Sequence, residues 1–112
     1  MEITAITDNE CVILVLSGRM DAVTTVEFDA ATQAALNEGH THILVDMKDL
    51  IYISSAGLRS LLSLAKTAKA QQGQLCFCSL QPMVAEVFHI SGFDRMLSVH
   101  ADREAGLAAL RA

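Results

Sequence analysis

The stretch ILVDMKDLIYISSAGLRSLL, residues 43–62, decides the fold because it predicts a buried strand followed by a helix. Residues 43–47 are apolar at almost every position, which is typical of a strand inside a parallel sheet. From Leu58 onward apolar residues recur at helical spacing, and Gly73 is the predicted end of that helix. The segment between strand and helix is then a connecting loop that carries several apolar side chains.

The chain before this unit predicts a β-hairpin and a helix. Residues 2–7 alternate weakly and are typical of a half-buried edge strand, whereas residues 11–16 are apolar on both faces and suit a central strand. Gly18 is predicted to end the second strand. Thr24-Thr25-Val26-Glu27 fits a capping box that begins a helix, and Gly39 ends it.

The chain after the unit predicts two further strands and two further helices. Residues 75–79 form a strand, and Pro82 occupies the first position of a helix that runs to Gly92. A last short strand covers residues 96–99, and Asp102 can cap a final helix.

This element order predicts an α/β fold, because strands that are separated by single helices pair in parallel through right-handed crossovers. We expect one domain over residues 1–112 in the order β-β-α-β-α-β-α-β-α. Its sheet is mixed and mostly parallel, with an antiparallel N-terminal edge strand and about four helices.

The composition excludes several classes of protein. A net charge of −5 argues against direct binding to nucleic acid, because neutralising phosphates requires clustered Lys and Arg. Met1 leads into Glu2-Ile3-Thr4 without a basic or apolar leader, and no apolar run is long enough to span a bilayer. We therefore expect a cytoplasmic protein with no membrane attachment, with reduced cysteines and without a metal or another cofactor.

The serine pair Ser54-Ser55 is the main candidate for function, because ligands of parallel sheets gather at the carboxyl ends of strands. Taken alone, the pair is best explained as a helix N-cap, and one of the two serines is expected to cap. Gly57 is harder to explain, since Gly costs about 1 kcal/mol relative to Ala inside a helix. It indicates a close approach of the backbone, either to the sheet or to a partner.

At this segment the chain resembles a known family. Residues 53–62, ISSAGLRSLL, are similar to the signature of STAS domains, and specifically of bacterial anti-sigma factor antagonists. The stretch Leu16-Ser17-Gly18-Arg19-Met20-Asp21, followed by Phe28 and Ala31, resembles the family's entry to its first helix. The resemblance extends over essentially the whole chain, and the predicted order of elements agrees with it.

The resemblance implies a phosphorylation switch rather than an enzyme. The family's phosphoacceptor corresponds to Ser55, and the unphosphorylated protein would bind an anti-sigma factor that is also a serine kinase, thereby releasing a sigma factor. Phosphorylation would dissociate the complex, and a PP2C-type phosphatase would reverse it. Many relatives have Asp before the acceptor and some have Ser after it, whereas this chain has Ser54 and Ala56, so Ser54 is a second candidate acceptor.

The expected partner-binding residues surround the serine pair. Candidate apolar anchors are Leu50, Ile51, Tyr52 and Leu58, and the expected contact set also includes Ser54, Ala56, Gly57 and Asp21. For Asp21, a place beside the serine and a role in capping the turn into the first helix are equally favoured.

Three other functions fit the sequence less well. A phosphoaspartate receiver on Asp46 lacks the acidic pair and the late lysine that its Mg²⁺ chemistry requires. A serine hydrolase lacks the G-x-S-x-G motif. A STAS domain that acts as a scaffold, or that regulates a target other than a sigma factor, keeps the fold and changes the role.

Overall fold

The computed structural model describes residues 1–111 and shows a five-stranded sheet in the order β1-β2-β3-β4-β5. Strands β1 and β2 are antiparallel, and all other neighbours are parallel. The predicted fold class is confirmed. The strands are β1 (Glu2–Asp8), β2 (Cys11–Met20), β3 (His42–Ile53), β4 (Gln74–Cys78) and β5 (Ser98–His100). The helices are α1 (Thr25–Asn37), α2 (Ser55–Ala70), α3 (Pro82–Ser91), α4 (Phe93–Met96) and α5 (Arg103–Arg111).

Strands β2 and β3 are both longer than predicted. Gly18 does not end β2 but lies within it at a φ of 102°, where the register between the two strands shifts. Pairing continues beyond the shift to Met20 and Ile53, so the predicted loop after residue 47 is wrong. An irregularity in the ladder, which Gly accommodates without steric cost, allows both strands to extend.

The predicted capping box of α1 is also wrong. The Thr24 side chain makes no cap hydrogen bond to the helix. Its hydroxyl instead accepts a hydrogen bond from the Asp21 N–H at 2.8 Å and donates one to the Arg19 carbonyl at 2.8 Å. Thr24 is therefore occupied by the turn that precedes α1, and the end of this helix near Gly39 (φ 88°) is as predicted.

The C-terminal elements agree with the sequence in type and order except for one added helix, and the last strand spans Ser98–His100 rather than residues 96–99. Pro82 is the first residue of α3, Gly92 ends it in the left-handed conformation, and the Asp102 carboxylate accepts a hydrogen bond from the Ala105 N–H at 2.8 Å. The short helix α4 was not predicted, because its four residues are too few to show a helical period.

Apolar side chains form a cluster on each face of the sheet. Phe28 of α1, Leu61 of α2 and Phe88 of α3 pack with one face, whereas Leu107 and Leu110 of α5 pack on the other. The second cluster contains three buried thiols, Cys11, Cys76 and Cys78. Among residues 1–111, no helix is long and apolar enough to cross a membrane.

Candidate functional site

The backbone at the start of α2 assigns different roles to the two serines. Ser54 is extended (φ −92°, ψ 175°), and its hydroxyl oxygen accepts a hydrogen bond from the Gly57 N–H at 3.2 Å. Ser55 is the first residue of the helix and is exposed. Within residues 1–111 its hydroxyl makes no hydrogen bond. One of the two serines was expected to cap the helix, and Ser54 is that residue. The hydroxyl of Ser55 is left available for chemistry.

The β2–β3 ladder fixes the position of this helix start. Met20 pairs with Ile53, and the Ser54 N–H donates a hydrogen bond to the Met20 carbonyl at 2.9 Å. A Cβ on Gly57 would lie 2.8 Å from Ile53 Cγ1 and 2.9 Å from Met20 Cγ. The close approach that Gly57 indicates is therefore to the core beneath the site. Gly57 is buried, so its predicted contact with a partner is not supported.

Asp21 follows Met20 and closes the turn into α1. Its Oδ1 accepts hydrogen bonds from the N–H groups of Val23 and Thr24, each at 3.0 Å. The bond from the Thr24 N–H is the main reason why the pKa of this carboxyl lies below its ordinary value. Asp21 thus caps the turn, and it also lies next to the residue whose carbonyl binds Ser54.

Arg19 and Tyr52 form a second polar contact on the same strands. They are partners in the β2–β3 register, and the Arg19 guanidinium carbon lies 4.2 Å from the centre of the Tyr52 ring. This cation–π contact lies at the surface, since Arg19 is exposed and Tyr52 is half-buried.

The predicted apolar anchors differ in their exposure. Leu50 has no exposed surface and belongs to the core, so it is removed from the contact set. Leu58 is half-buried against the same core, whereas 53% of Ile51 is exposed. The extension of β3 explains the difference, because alternate residues of a strand point to opposite faces.

Three exposed apolar residues at this end of the sheet were missed by sequence reasoning. Val23 and Val26 lie around the start of α1 and are 81% and 67% exposed. Met83 lies in the first turn of α3 and is 63% exposed. No sequence signal marks them, because an isolated valine or methionine gives the same pattern whether it is buried or exposed.

A groove of about 390 Å³ separates α1 from α2 and begins beside the serine pair. Thr25 and Asp29 line it from α1, and Ala56, Arg59 and Ser60 line it from α2. The groove therefore brings one cation and one carboxylate together between two helices, yet Asp29 and Arg59 form no ion pair within the described residues.

Asp46, the residue considered for a phosphoaspartate receiver, has a structural role. It is buried, and its Oδ2 lies 2.9 Å from Nη2 and 3.0 Å from Nε of Arg103 on α5. Its Oδ1 accepts a hydrogen bond from the Lys48 N–H at 3.1 Å. Both carboxylate oxygens thus have protein partners, and the contact with Arg103 attaches α5 to the sheet.

Comparison with known proteins places these features in a family. Residues 2–106 match the family model of the STAS domain. The Bordetella bronchiseptica protein BtrV, a proposed anti-sigma factor antagonist, is 39% identical over 99 residues, which cover 88% of this chain and 85% of that protein.

Solved structures agree in fold. A proposed anti-sigma factor antagonist from Thermotoga maritima has a TM-score of 0.93 at 18% identity, over 98% of this chain and 95% of that one. The phosphorylated form of the Bacillus cell fate determinant SpoIIAA has a TM-score of 0.72 at 22% identity, over 93% of this chain and 96% of that one. At these identities the two structures bear on the fold alone.

Proposed function

The chain belongs to the STAS domain family, and on that basis we propose that it acts as an anti-sigma factor antagonist whose binding is switched off by phosphorylation of Ser55. In this proposal the unphosphorylated form binds an anti-sigma factor that is also a serine kinase. Binding releases the sigma factor that the kinase would otherwise hold.

One observation carries the choice of Ser55. Its hydroxyl is exposed at the first position of α2 and has no hydrogen bond within residues 1–111, whereas the Ser54 hydroxyl is engaged by the Gly57 N–H. Phosphorylation of Ser54 would therefore remove a helix cap, while phosphorylation of Ser55 leaves the cap intact. Ser54 becomes the less favourable acceptor for this physical reason.

The position also favours survival of the folded domain after phosphorylation. The hydroxyl oxygen of Ser55 attacks the γ-phosphorus of ATP, which forms the phosphate ester and releases ADP and a proton. The product carries about −1.5 to −2 charges at neutral pH. The first-turn N–H groups of a helix and its dipole stabilise such a charge. Bacillus SpoIIAA, which shares the fold, has been solved in its phosphorylated form.

The phosphate then destabilises the complex with the partner rather than the folded domain. Exposed apolar groups lie at the end of the sheet where Ser55 lies, and in this proposal a partner that covers this end also removes water from the serine. They are Val23, Val26, Ile51 and Met83. Removing water from a dianion costs several kcal/mol, which is enough to dissociate a complex. A PP2C-type phosphatase would restore binding by hydrolysing the ester.

The test is a phosphorylation assay with ATP and the chain's cognate anti-sigma kinase, read by intact mass and by peptide mapping. We expect one phosphate on the wild-type protein and on Ser54→Ala, and none on Ser55→Ala. Full phosphorylation of Ser55→Ala would place the acceptor elsewhere. Absence of phosphate from the wild-type protein, with the kinase still bound, would favour a constitutive scaffold instead.

A further inference from the structure

Arg59 is an exposed cation one helical turn after Ser55, and within residues 1–111 its side chain forms no hydrogen bond or ion pair. We propose that Arg59 is a positioning residue that binds the phosphate of phosphorylated Ser55 within the same domain. The inference rests on the proposed function, since it presupposes phosphate on Ser55. It adds a residue that determines where the phosphate lies.

The spacing of the two residues brings their side chains together. Positions i and i+4 of a helix lie on one face, with their Cβ atoms about 6 Å apart. Helical side chains lean toward the N-terminus, so the Arg59 side chain covers the surface above its preceding turn, where Ser55 lies. A guanidinium at this spacing reaches a phosphate on Ser55 without any movement of the backbone.

Arg59 is available for this contact, unlike most arginines of the chain. Arg103 is paired with Asp46 and Arg111 with Asp8, and Arg19 lies over the Tyr52 ring. Within the described part of the chain, residues 1–111, Arg59 forms no ion pair. The other cations of α2 are Lys66 and Lys69, which lie about two turns or more further along the helix.

The charges around Arg59 make a phosphate its best partner. Asp29 lines the same groove from α1, and Asp21 closes the neighbouring turn, so both carboxylates repel a phosphate on Ser55. Arg59 is the cation that can offset this repulsion from the same helix face. Its planar guanidinium can donate two parallel hydrogen bonds to phosphate oxygens, which an ammonium group cannot do in the same geometry.

The test uses full-length protein with phosphoserine incorporated at position 55 during translation, so that no kinase is needed. Phosphorus NMR measures the second pKa of the phosphate in the wild-type background and in Arg59→Gln, Arg59→Lys and Arg19→Gln. We expect this pKa to rise by roughly 0.3 to 0.7 unit in Arg59→Gln, because the dianion loses its cation. The phosphate pKa of Arg59→Lys should lie between those of the wild-type background and Arg59→Gln. Arg19→Gln is the matched control on the adjacent strand, and its phosphate pKa should change little.

Equal pKa values in the wild-type background and Arg59→Gln would overturn the proposal, and so would a larger effect of Arg19→Gln. Circular dichroism checks that each variant is folded. A readout that needs no variant is the Arg59 Nε–H resonance, which should shift as the phosphate is titrated.

Binding of the same phosphoprotein to the anti-sigma kinase is measured separately. Retained binding would overturn the proposed function, whereas a missing Arg59 effect with binding lost would overturn this inference alone.

Discussion

The Ser54 N–H donates a hydrogen bond to the Met20 carbonyl at 2.9 Å, which joins the turn before α1 to the start of α2. Asp21 follows Met20 and Ser55 follows Ser54, so one backbone bond brings a carboxylate turn and the candidate phosphoacceptor side by side. The site is thus built on paired strands, and its geometry depends on the core beneath it.

The two serines should differ in their effect on stability. Ser54→Ala removes the oxygen that accepts the Gly57 N–H and should lower the free energy of unfolding by about 0.5 to 2 kcal/mol. Ser55→Ala should change it by less than about 0.5 kcal/mol, because the exposed hydroxyl has no partner in the described residues. Urea denaturation of both variants gives the comparison. A larger loss for Ser55→Ala would reverse the assignment of the cap.

A negative charge at Ser55 should weaken partner binding and leave the fold intact. Ser55→Glu places a carboxylate in the first turn of α2, where the helix dipole favours it. We expect the affinity for the anti-sigma kinase to fall about tenfold or more, because the charge is desolvated in the complex. Calorimetry measures binding, and circular dichroism measures folding. The matched control is Ser63→Glu, an exposed serine further along the same helix; an equal loss there would argue against a local effect.

Gly57→Ala should destabilise the domain although Ala is the better helix former. The added methyl group would lie 2.8 Å from Ile53 Cγ1 and 2.9 Å from Met20 Cγ. Overpacking of this kind costs about 1 to 3 kcal/mol, which exceeds the gain of about 1 kcal/mol in helix propensity. Met20→Ala would create space for the methyl group, so the double variant should be more stable than the sum of the single effects predicts. Strict additivity in urea denaturation would show that Met20 is not the obstacle.

Asp21→Asn should lower stability at neutral pH and have no such effect in acid. The pKa of Asp21 lies below its ordinary value in the folded protein, chiefly because its carboxylate accepts a hydrogen bond from the Thr24 N–H. A depressed folded pKa adds stability that is present above the unfolded pKa and is lost as the pH falls through the folded pKa. The difference in Tm between wild type and variant should therefore shrink from pH 7 toward pH 3. Asp49→Asn, at an exposed position, is the control. A difference in Tm between wild type and Asp21→Asn that stays constant with pH would contradict the charge effect.

The sequence predicts the fold class well because strands and helices alternate with clear periods, yet it misplaces the elements that define the site. Lys48 and Asp49 resemble the start of a loop, but pairing with β2 across a bulge keeps this segment in β3 and buries Leu50. Both serines suit an N-cap, and only the backbone conformation distinguishes them. Thr24 fits a capping box until the Arg19 carbonyl is seen to accept its hydroxyl proton. These outcomes depend on tertiary contacts, which local patterns do not contain.

The pair Asp46–Arg103 is a further long-range contact and should be important for stability. Asp46 is buried, with a side chain that is 5% exposed, whereas the Arg103 side chain is 43% exposed. Arg103→Met leaves a buried carboxylate without its cation and should cost about 2 to 4 kcal/mol, less than for a fully buried pair because water reaches Arg103. The double variant Asp46→Asn with Arg103→Met removes both charges and should recover part of that loss.

The control is Arg111→Ala, which breaks the exposed pair with Asp8 and should cost less than about 1 kcal/mol. Urea denaturation measures the free energy of unfolding of each variant. If Arg103→Met and Arg111→Ala lose equal amounts, burial of Asp46 does not determine the strength of the pair that attaches α5 to the sheet.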